Sequence, residues 1–308
     1  MERVNRPSPL VPWFFFLSGI AGLVYEVVWA RLLERVMGAS VYSITTVLTV
    51  YMAGLALGSF LAGKFVDRRD DPLRIYGVLE GAIGIYCLLV PAIVAATVPI
   101  YRAAYQSFDA SFHTFSLVRF AISGLVLLVP TTLMGATLPV LSKYMARRFD
   151  SIGESVGGLY AINTLGAVVG SFAAGFILMP GLGMRGTIVA AAAINIVVAG
   201  LVLLLYRSER TASAGGSGGK QKKRSAEGGR KTTEMVGGAP PARAEKLKPI
   251  LAFALIAFAL SGFAAMVYQV AWMRTLSLVV GSSVYAVSTI LTAYILGLGL
   301  GAAVFSRY

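Results

Sequence analysis

Eight long apolar stretches constrain the fold of this chain more than any other feature of its sequence. Each approaches the length, about 20 residues, that an α-helix needs to cross the hydrocarbon core of a bilayer. A soluble core does not need so many runs of this one length. The stretches cover residues 11–33, 41–63, 75–98, 116–140, 156–180, 186–206, 249–273 and 283–305. We therefore expect an all-α integral membrane protein with about eight transmembrane helices.

The composition supports this interpretation. Of the 308 residues, 57% are hydrophobic and 13% are charged, and the mean hydropathy is +0.76. A soluble domain carries roughly 25% charged residues. The single cysteine, Cys87, lies within an apolar stretch, which excludes a disulfide framework and a cysteine-rich metal site. We expect no metal and no cofactor in this chain.

The basic residues predict the orientation of the helices. If the N-terminus is cytoplasmic, 21 of the 27 lysine and arginine residues lie on the cytoplasmic side, as the positive-inside rule requires. The net charge of +13 is then a topology signal. Nucleic-acid binding is not indicated, because no basic patch is interleaved with aromatic residues. We expect a multi-pass protein of the inner (plasma) membrane, with the lipid bilayer as its main partner.

The apolar stretches divide the chain into three segments. Residues 1–206 hold six predicted helices and form a first transmembrane bundle. Residues 207–248 are rich in glycine and basic residues and offer almost no apolar face to bury, which predicts a disordered basic linker in the cytoplasm. Residues 249–308 hold the last two predicted helices.

The last segment repeats the first. Residues 260–306 align without a gap on residues 17–63, and about half of the aligned positions are identical, far more than shared hydrophobicity would produce. Because six helices separate the copies, both enter the membrane in the same orientation. Parallel six-helix repeats joined by a cytoplasmic linker resemble the two halves of a major-facilitator transporter. The second repeat holds only two helices here, so we expect an incomplete second half.

Three motifs carry a closer resemblance. They are LSGIAGLVYEVVWAR at residues 17–31, PTTLMGATLP at 130–139 and LYAINTLGAVVG at 159–170. Together they resemble the membrane part of the fused facilitator/spermidine synthase-like proteins. The resemblance implies a following soluble domain similar to aminopropyltransferases, which use decarboxylated S-adenosylmethionine and a polyamine. We find no such domain in this sequence, and we carry over no catalytic residue.

The connection between the second and third predicted helices resembles a facilitator loop. Residues 63–69 read Gly-Lys-Phe-Val-Asp-Arg-Arg, which contains the Gly-x-x-x-Asp-Arg core of that loop. In facilitators the loop makes charge contacts that help to hold one conformational state. The resemblance implies this role for Asp67 and Arg68, and the alternative is that both are ordinary charged loop residues.

Ionisable side chains inside spanning helices are costly and tend to face a cavity or a partner. Glu26 lies in the first predicted helix and Arg119 in the fourth, both towards the outer end. By analogy with facilitators, whose first and fourth helices line the central cavity, a carboxylate there would bind a cationic solute such as a polyamine, or carry a coupling proton. The alternative is a structural pair of Glu26 with Arg31 or Arg119. The repeat places neutral Gln269 at the position of Glu26.

Three further polar residues lie in apolar stretches. Glu80 is expected to pair with an arginine on the cytoplasmic side, such as Arg74. Asn163 and Asn195 can hydrogen-bond between helices. Asn163 is also a candidate for contact with the solute.

Small residues and prolines predict how the helices pack. Glycines spaced four residues apart put a flat face on a helix and let two backbones approach closely. Prolines mark helix breaks or ends, where freed carbonyls need another partner. The glycines are Gly54, Gly58, Gly166 and Gly170, and the prolines are Pro130, Pro139 and Pro180.

Three functions remain open at this point. The first is a facilitator-like module that carries or senses a small solute, with polyamine-like cations as the candidate class. The second is the membrane anchor of an aminopropyltransferase. The third is a helical anchor that mediates homo-oligomerisation.

Overall fold

The structure, a computed structural model, describes residues 8–37, 40–66, 69, 71–107, 112–146, 152–217, 242–281 and 284–305. Over these ranges the secondary structure is helical. The helices are α1 (Val11–Met37), α2 (Ser40–Val66), α3 (Pro72–Ser107), α4 (Phe112–Ala146), α5 (Ile152–Ala173), α6 (Met179–Ser217), α7 (Ala242–Val280) and α8 (Val284–Phe305). A π-helical turn at Ala174–Leu178 joins α5 to α6. The expectation of an all-α membrane protein is confirmed.

Seven of the described helical runs are long and apolar enough to cross a membrane, one fewer than predicted. The difference arises because the fifth and sixth predicted stretches form one run, Val156–Thr211, of 56 residues. A straight helix of that length would extend about 84 Å, whereas the hydrocarbon core is about 30 Å thick. Within this run Gly183 leaves the helical conformation, with φ 67° and ψ 179°. Only glycine adopts this backbone geometry readily.

The chain divides into two compact units. The first contains residues 1–206 and 272–308, and the second contains residues 207–271. The helices extend into both ends of the predicted linker, because α6 continues to Ser217 and α7 begins at Ala242. Residues 218–241 of that linker lie outside the described residues.

In the first unit α1 lies against α5 with almost no space between the backbones. A Cβ atom added at Gly166 would overlap the carbonyl oxygen of Phe16, and one added at Gly170 would overlap that of Ile20. From the other side, a Cβ at Gly19 would overlap the backbone of Asn163. These glycines therefore set the distance between the two helices.

The α2–α4 contact is built in the same way. A Cβ at Gly54 would overlap the side chain of Thr131, and one at Gly58 would overlap the carbonyl oxygen of Thr132. On α4, a Cβ at Gly135 would overlap the backbone of Leu55. The glycine pairs of α2 and α5 thus both lie at helix contacts.

Two prolines expected to mark helix breaks or ends lie inside α4. Pro130 has no N–H for the carbonyl of Val126, and Pro139 has none for the carbonyl of Gly135. Neighbouring helices supply the missing donors. The Tyr86 hydroxyl of α3 donates to Val126 O at 3.1 Å, and the Ser59 hydroxyl of α2 donates to Gly135 O at 2.9 Å. The helix continues because both freed carbonyls have a partner.

The α1 helix is the most buried of the candidate spans. Tyr25 and Trp29 stack with their ring centroids 5.5 Å apart, and neither is exposed. Their counterparts in the repeat, Tyr268 and Trp272, are each 64% exposed. The two copies therefore share a sequence pattern but not their surroundings.

We expect Gly170→Ala to destabilise the protein, because the added methyl group has no room beside Ile20. The cost of such overpacking is typically about 1–3 kcal/mol, measured as the thermal midpoint of the detergent-solubilised protein. Gly200→Ala is the matched control, since a Cβ at this position of α6 meets nothing within 4 Å. Equal midpoints for the two variants would contradict the proposed α1–α5 contact.

Candidate functional site

Glu26 lies in the middle of α1 and is only 4% exposed. Its neighbour on α2 is Tyr51, whose hydroxyl lies 3.1 Å from the Cβ position of Gly22, one helical turn before Glu26. Tyr51 is also within electrostatic range of the Glu26 carboxylate. The carboxylate is thus enclosed by the bundle, with a tyrosine beside it.

The structure does not form the ion pairs considered for Glu26. Arg31 pairs instead with Glu34 on the next turn of α1, at 2.5 Å between Nη1 and Oε2. Arg119 lies half-buried on α4, and it forms no ion pair with Glu26. Gln269 lies on α7 within the second unit.

Asn163 lies at the α1–α5 contact. Its backbone and side-chain oxygen are close to the Cβ position of Gly19, and it shares its helix with Gly166 and Gly170. Asp67 and Arg68 are outside the described residues, so the conformational role of that loop stays a prediction.

A buried polar network around Glu80 was not predicted as a unit. Glu80 of α3 is fully buried, and its Oε2 accepts a hydrogen bond of 2.6 Å from the side-chain amide of Asn195 on α6. The side-chain oxygen of Asn195 accepts a second bond of 2.9 Å from the hydroxyl of Tyr25 on α1. The network therefore joins α1, α3 and α6. It also agrees with the interhelical hydrogen bonding expected of Asn195.

The expected pair of Glu80 with Arg74 is not formed. Six residues along a helix place two side chains about 120° apart around its axis. Glu80 accordingly faces into the bundle, whereas Arg74 is exposed.

Further polar side chains surround Glu80. The hydroxyl groups of Ser18 and Tyr76 lie beside its carboxylate, and Cys87 lies beside Tyr25. Among the described residues, Oε1 of Glu80 and the Tyr76 hydroxyl nevertheless have no partner at hydrogen-bonding geometry. The polar residues Glu80 and Asn195 stand out in the sequence, but they are 115 positions apart and no spacing rule joins them.

Two carboxylates are thus buried in the first unit, and neither is ion-paired within the described part of the chain. A carboxylate charge in apolar surroundings must be neutralised by a proton or by a cation. Among the described residues no cluster of three or more His, Cys, Asp or Glu side chains is placed to hold a metal ion. Each buried carboxylate can therefore take up a proton or accept a positively charged partner.

We expect Asn195→Ala to lower the thermal stability, because the buried Glu80 carboxylate and the buried Tyr25 hydroxyl each lose the hydrogen bond that Asn195 makes to them. Each such group costs about 1–3 kcal/mol. Tyr25→Phe removes a single hydrogen bond and should cost less. In the double variant the effects should not add, as is usual within one network. Strict additivity of the melting shifts would show that the network is not formed.

Comparison with known proteins supports the family resemblance that the sequence motifs indicated. The model of the Major Facilitator Superfamily matches residues 13–308. No solved structure matches the chain. The family match and the helical structure agree, since both describe a multi-pass membrane protein.

Several curated relatives of this chain are named polyamine aminopropyltransferases. The chain is 31% identical over 197 residues to polyamine aminopropyltransferase 2 of Streptomyces coelicolor, covering 61% of this chain and 33% of the relative. It is 30% identical over 204 residues to polyamine aminopropyltransferase of Corynebacterium efficiens, covering 64% and 36%. It is 25% identical over 183 residues to polyamine aminopropyltransferase 1 of Ralstonia nicotianae, covering 59% and 32%.

The chain spans about a third of the length of these curated relatives. This partial coverage is consistent with the membrane part of a fused protein, and it confirms the resemblance to the facilitator/spermidine synthase-like proteins. Since the family model covers nearly all of its residues, this chain belongs to the Major Facilitator Superfamily.

Proposed function

We propose that this chain is a facilitator-type membrane module that binds or carries a small organic cation of the polyamine class. The observation that carries the proposal is Glu26, which is buried in α1 and forms no ion pair in the described structure. An unpaired carboxylate at such a position is expensive unless a ligand or a proton neutralises it. The names of the relatives, which refer to polyamines, point to the same solute class.

The surroundings of Glu26 fit an organic cation. The aromatic side chain of Tyr51 lies beside the carboxylate. Aromatic rings stabilise ammonium groups through their π faces, while a carboxylate supplies the charge. Because Glu26 is almost fully enclosed, a solute reaches it only when the helices move apart, as alternating access in this type of transporter requires.

We expect Glu26→Gln to weaken the binding and uptake of radiolabelled spermidine at least roughly thirtyfold. Losing one partner of a buried charge pair costs about 2–5 kcal/mol. The measurement uses the full-length protein in proteoliposomes. Glu34→Gln is the matched control, since Glu34 is a carboxylate of the same helix that already pairs with Arg31. Unchanged binding and uptake in the Glu26 variant would reject the proposal.

A second candidate function is the membrane anchor of an aminopropyltransferase. Partial coverage of relatives named polyamine aminopropyltransferase favours it. The same experiment separates the candidates. An anchor predicts no spermidine uptake by the wild-type protein and unchanged aminopropyl transfer in the Glu26 variant, whereas the transport module predicts uptake that depends on Glu26.

We also propose that the helices lie in the inner (plasma) membrane with a cytoplasmic N-terminus. The positions of 21 of the 27 basic residues support this orientation. An epitope tag before Met1 should be inaccessible to antibody in intact spheroplasts and accessible after permeabilisation. Labelling in intact spheroplasts would show that the N-terminus lies outside the cytoplasm and would contradict the proposed topology. Homo-oligomerisation, the third role considered, would be measured as particle mass in detergent.

A further inference from the structure

A cavity of about 740 Å³ lies where α2 ends and α3 begins, with α4 as its third wall. Its size falls within the roughly 300–1,000 Å³ of typical ligand pockets. It is formed within the first unit and contains neither Glu26 nor Glu80. What occupies it is therefore a separate question from the solute.

One end of the cavity is basic. Arg69 and Arg74 both line it, and Asp71 is the acidic side chain among the described residues of its lining. The Asp71 carboxylate already accepts a hydrogen bond of 3.0 Å from the Tyr206 hydroxyl. Lys143 of α4 adds a third positive charge nearby, because its ammonium group donates to the carbonyl oxygens of Val66 and Arg69. Among the described residues, Arg69, Arg74, Lys143 and Asp71 give this end a positive net charge.

The other walls are apolar and continue into the outer surface of the bundle. Phe65 of α2 and Val78 of α3 line the cavity and are 65% and 55% exposed. Both belong to candidate membrane spans, so we expect their exposed faces to meet acyl chains. The buried side chain of Val140 lines the cavity from α4. The cavity thus connects a basic end with an exposed apolar surface of two candidate membrane spans.

We propose that this cavity binds an anionic phospholipid from the leaflet that faces the α2–α3 connection. The phosphate lies between the guanidinium groups of Arg69 and Arg74, and an acyl chain follows the apolar wall past Phe65 and Val78. Guanidinium groups hold phosphate through paired hydrogen bonds, and basic pockets between transmembrane helices recognise anionic headgroups. A free phosphate ion would leave the apolar wall unused. The site does not depend on the proposed function.

The test is native mass spectrometry of the detergent-purified full chain titrated with dioleoylphosphatidylglycerol. We expect the double variant Arg69→Gln with Arg74→Gln to bind this lipid more weakly, by roughly fivefold for each arginine and on the order of 25-fold in total. The control is Arg207→Gln, which removes an exposed arginine that does not line the cavity. That variant should bind like the wild type.

Two comparisons identify the occupant. Dioleoylphosphatidylcholine should bind more weakly than the anionic lipid, and excess inorganic phosphate should not displace the lipid. Equal binding of the two lipids, displacement by phosphate, or equal affinity in the double variant and the wild type would each overturn the proposal.

A second measurement does not depend on whether the double variant folds. A photoactivatable phosphatidylglycerol in nanodiscs should cross-link wild-type protein within residues 62–79 or 136–140. Cross-links spread evenly over the lipid-facing surface, or absent from both segments, would also overturn the proposal.

Discussion

In the hydrocarbon core of a bilayer, no water is present to satisfy a backbone N–H or C=O group, so each must find its partner within the protein. The α4 helix shows how strictly this chain obeys that constraint. Its two prolines free the carbonyls of Val126 and Gly135, and hydroxyl groups from α3 and α2 donate to them. These bonds require α2, α3 and α4 to lie close together. The glycine contacts between α2 and α4 provide that distance.

The same close packing of the helices brings the buried polar side chains together. Glycine contacts bring α1 against α5, and the Tyr25, Asn195 and Glu80 side chains connect α1 with α6 and α3. A polar network in a bundle is stable only when its helices are held in register. Glu26, which has no ion pair among the described residues, and the network around Glu80 therefore lie within one tightly packed unit.

Much of the fold follows from hydropathy, because a span of about 20 apolar residues has few alternatives in a membrane. The glycine pairs at residues 54 and 58 and at 166 and 170 also predicted which helix faces pack closely, because glycine lets two backbones approach. Two features did not follow from local pattern. Pro130 and Pro139 lie inside a helix because donors come from other helices, and the fifth and sixth spans form one run that bends at Gly183. The first feature depends on tertiary contacts, and the second depends on the backbone angles of one residue.

The candidate site was predictable only in part. Glu26 and Glu80 stand out in the sequence because each is an ionisable residue in an apolar stretch. The partner of each carboxylate, however, depends on which helices meet. Depth in the membrane and the analogy with facilitators suggested arginine partners, whereas the structure gives Glu80 an asparagine and leaves Glu26 without an ion pair in the described chain. The family motifs indicated the fold. They lie in the helices that pack closely through glycine residues.

A cryo-electron microscopy map of the full-length protein in lipid nanodiscs would show whether α1 is enclosed by the bundle and carries a buried carboxylate. We expect Glu80 and Asn195 at hydrogen-bonding distance, and Glu26 facing protein with no arginine or lysine beside it. A map in which α1 faces lipid, or in which a basic side chain neutralises Glu26, would contradict this expectation.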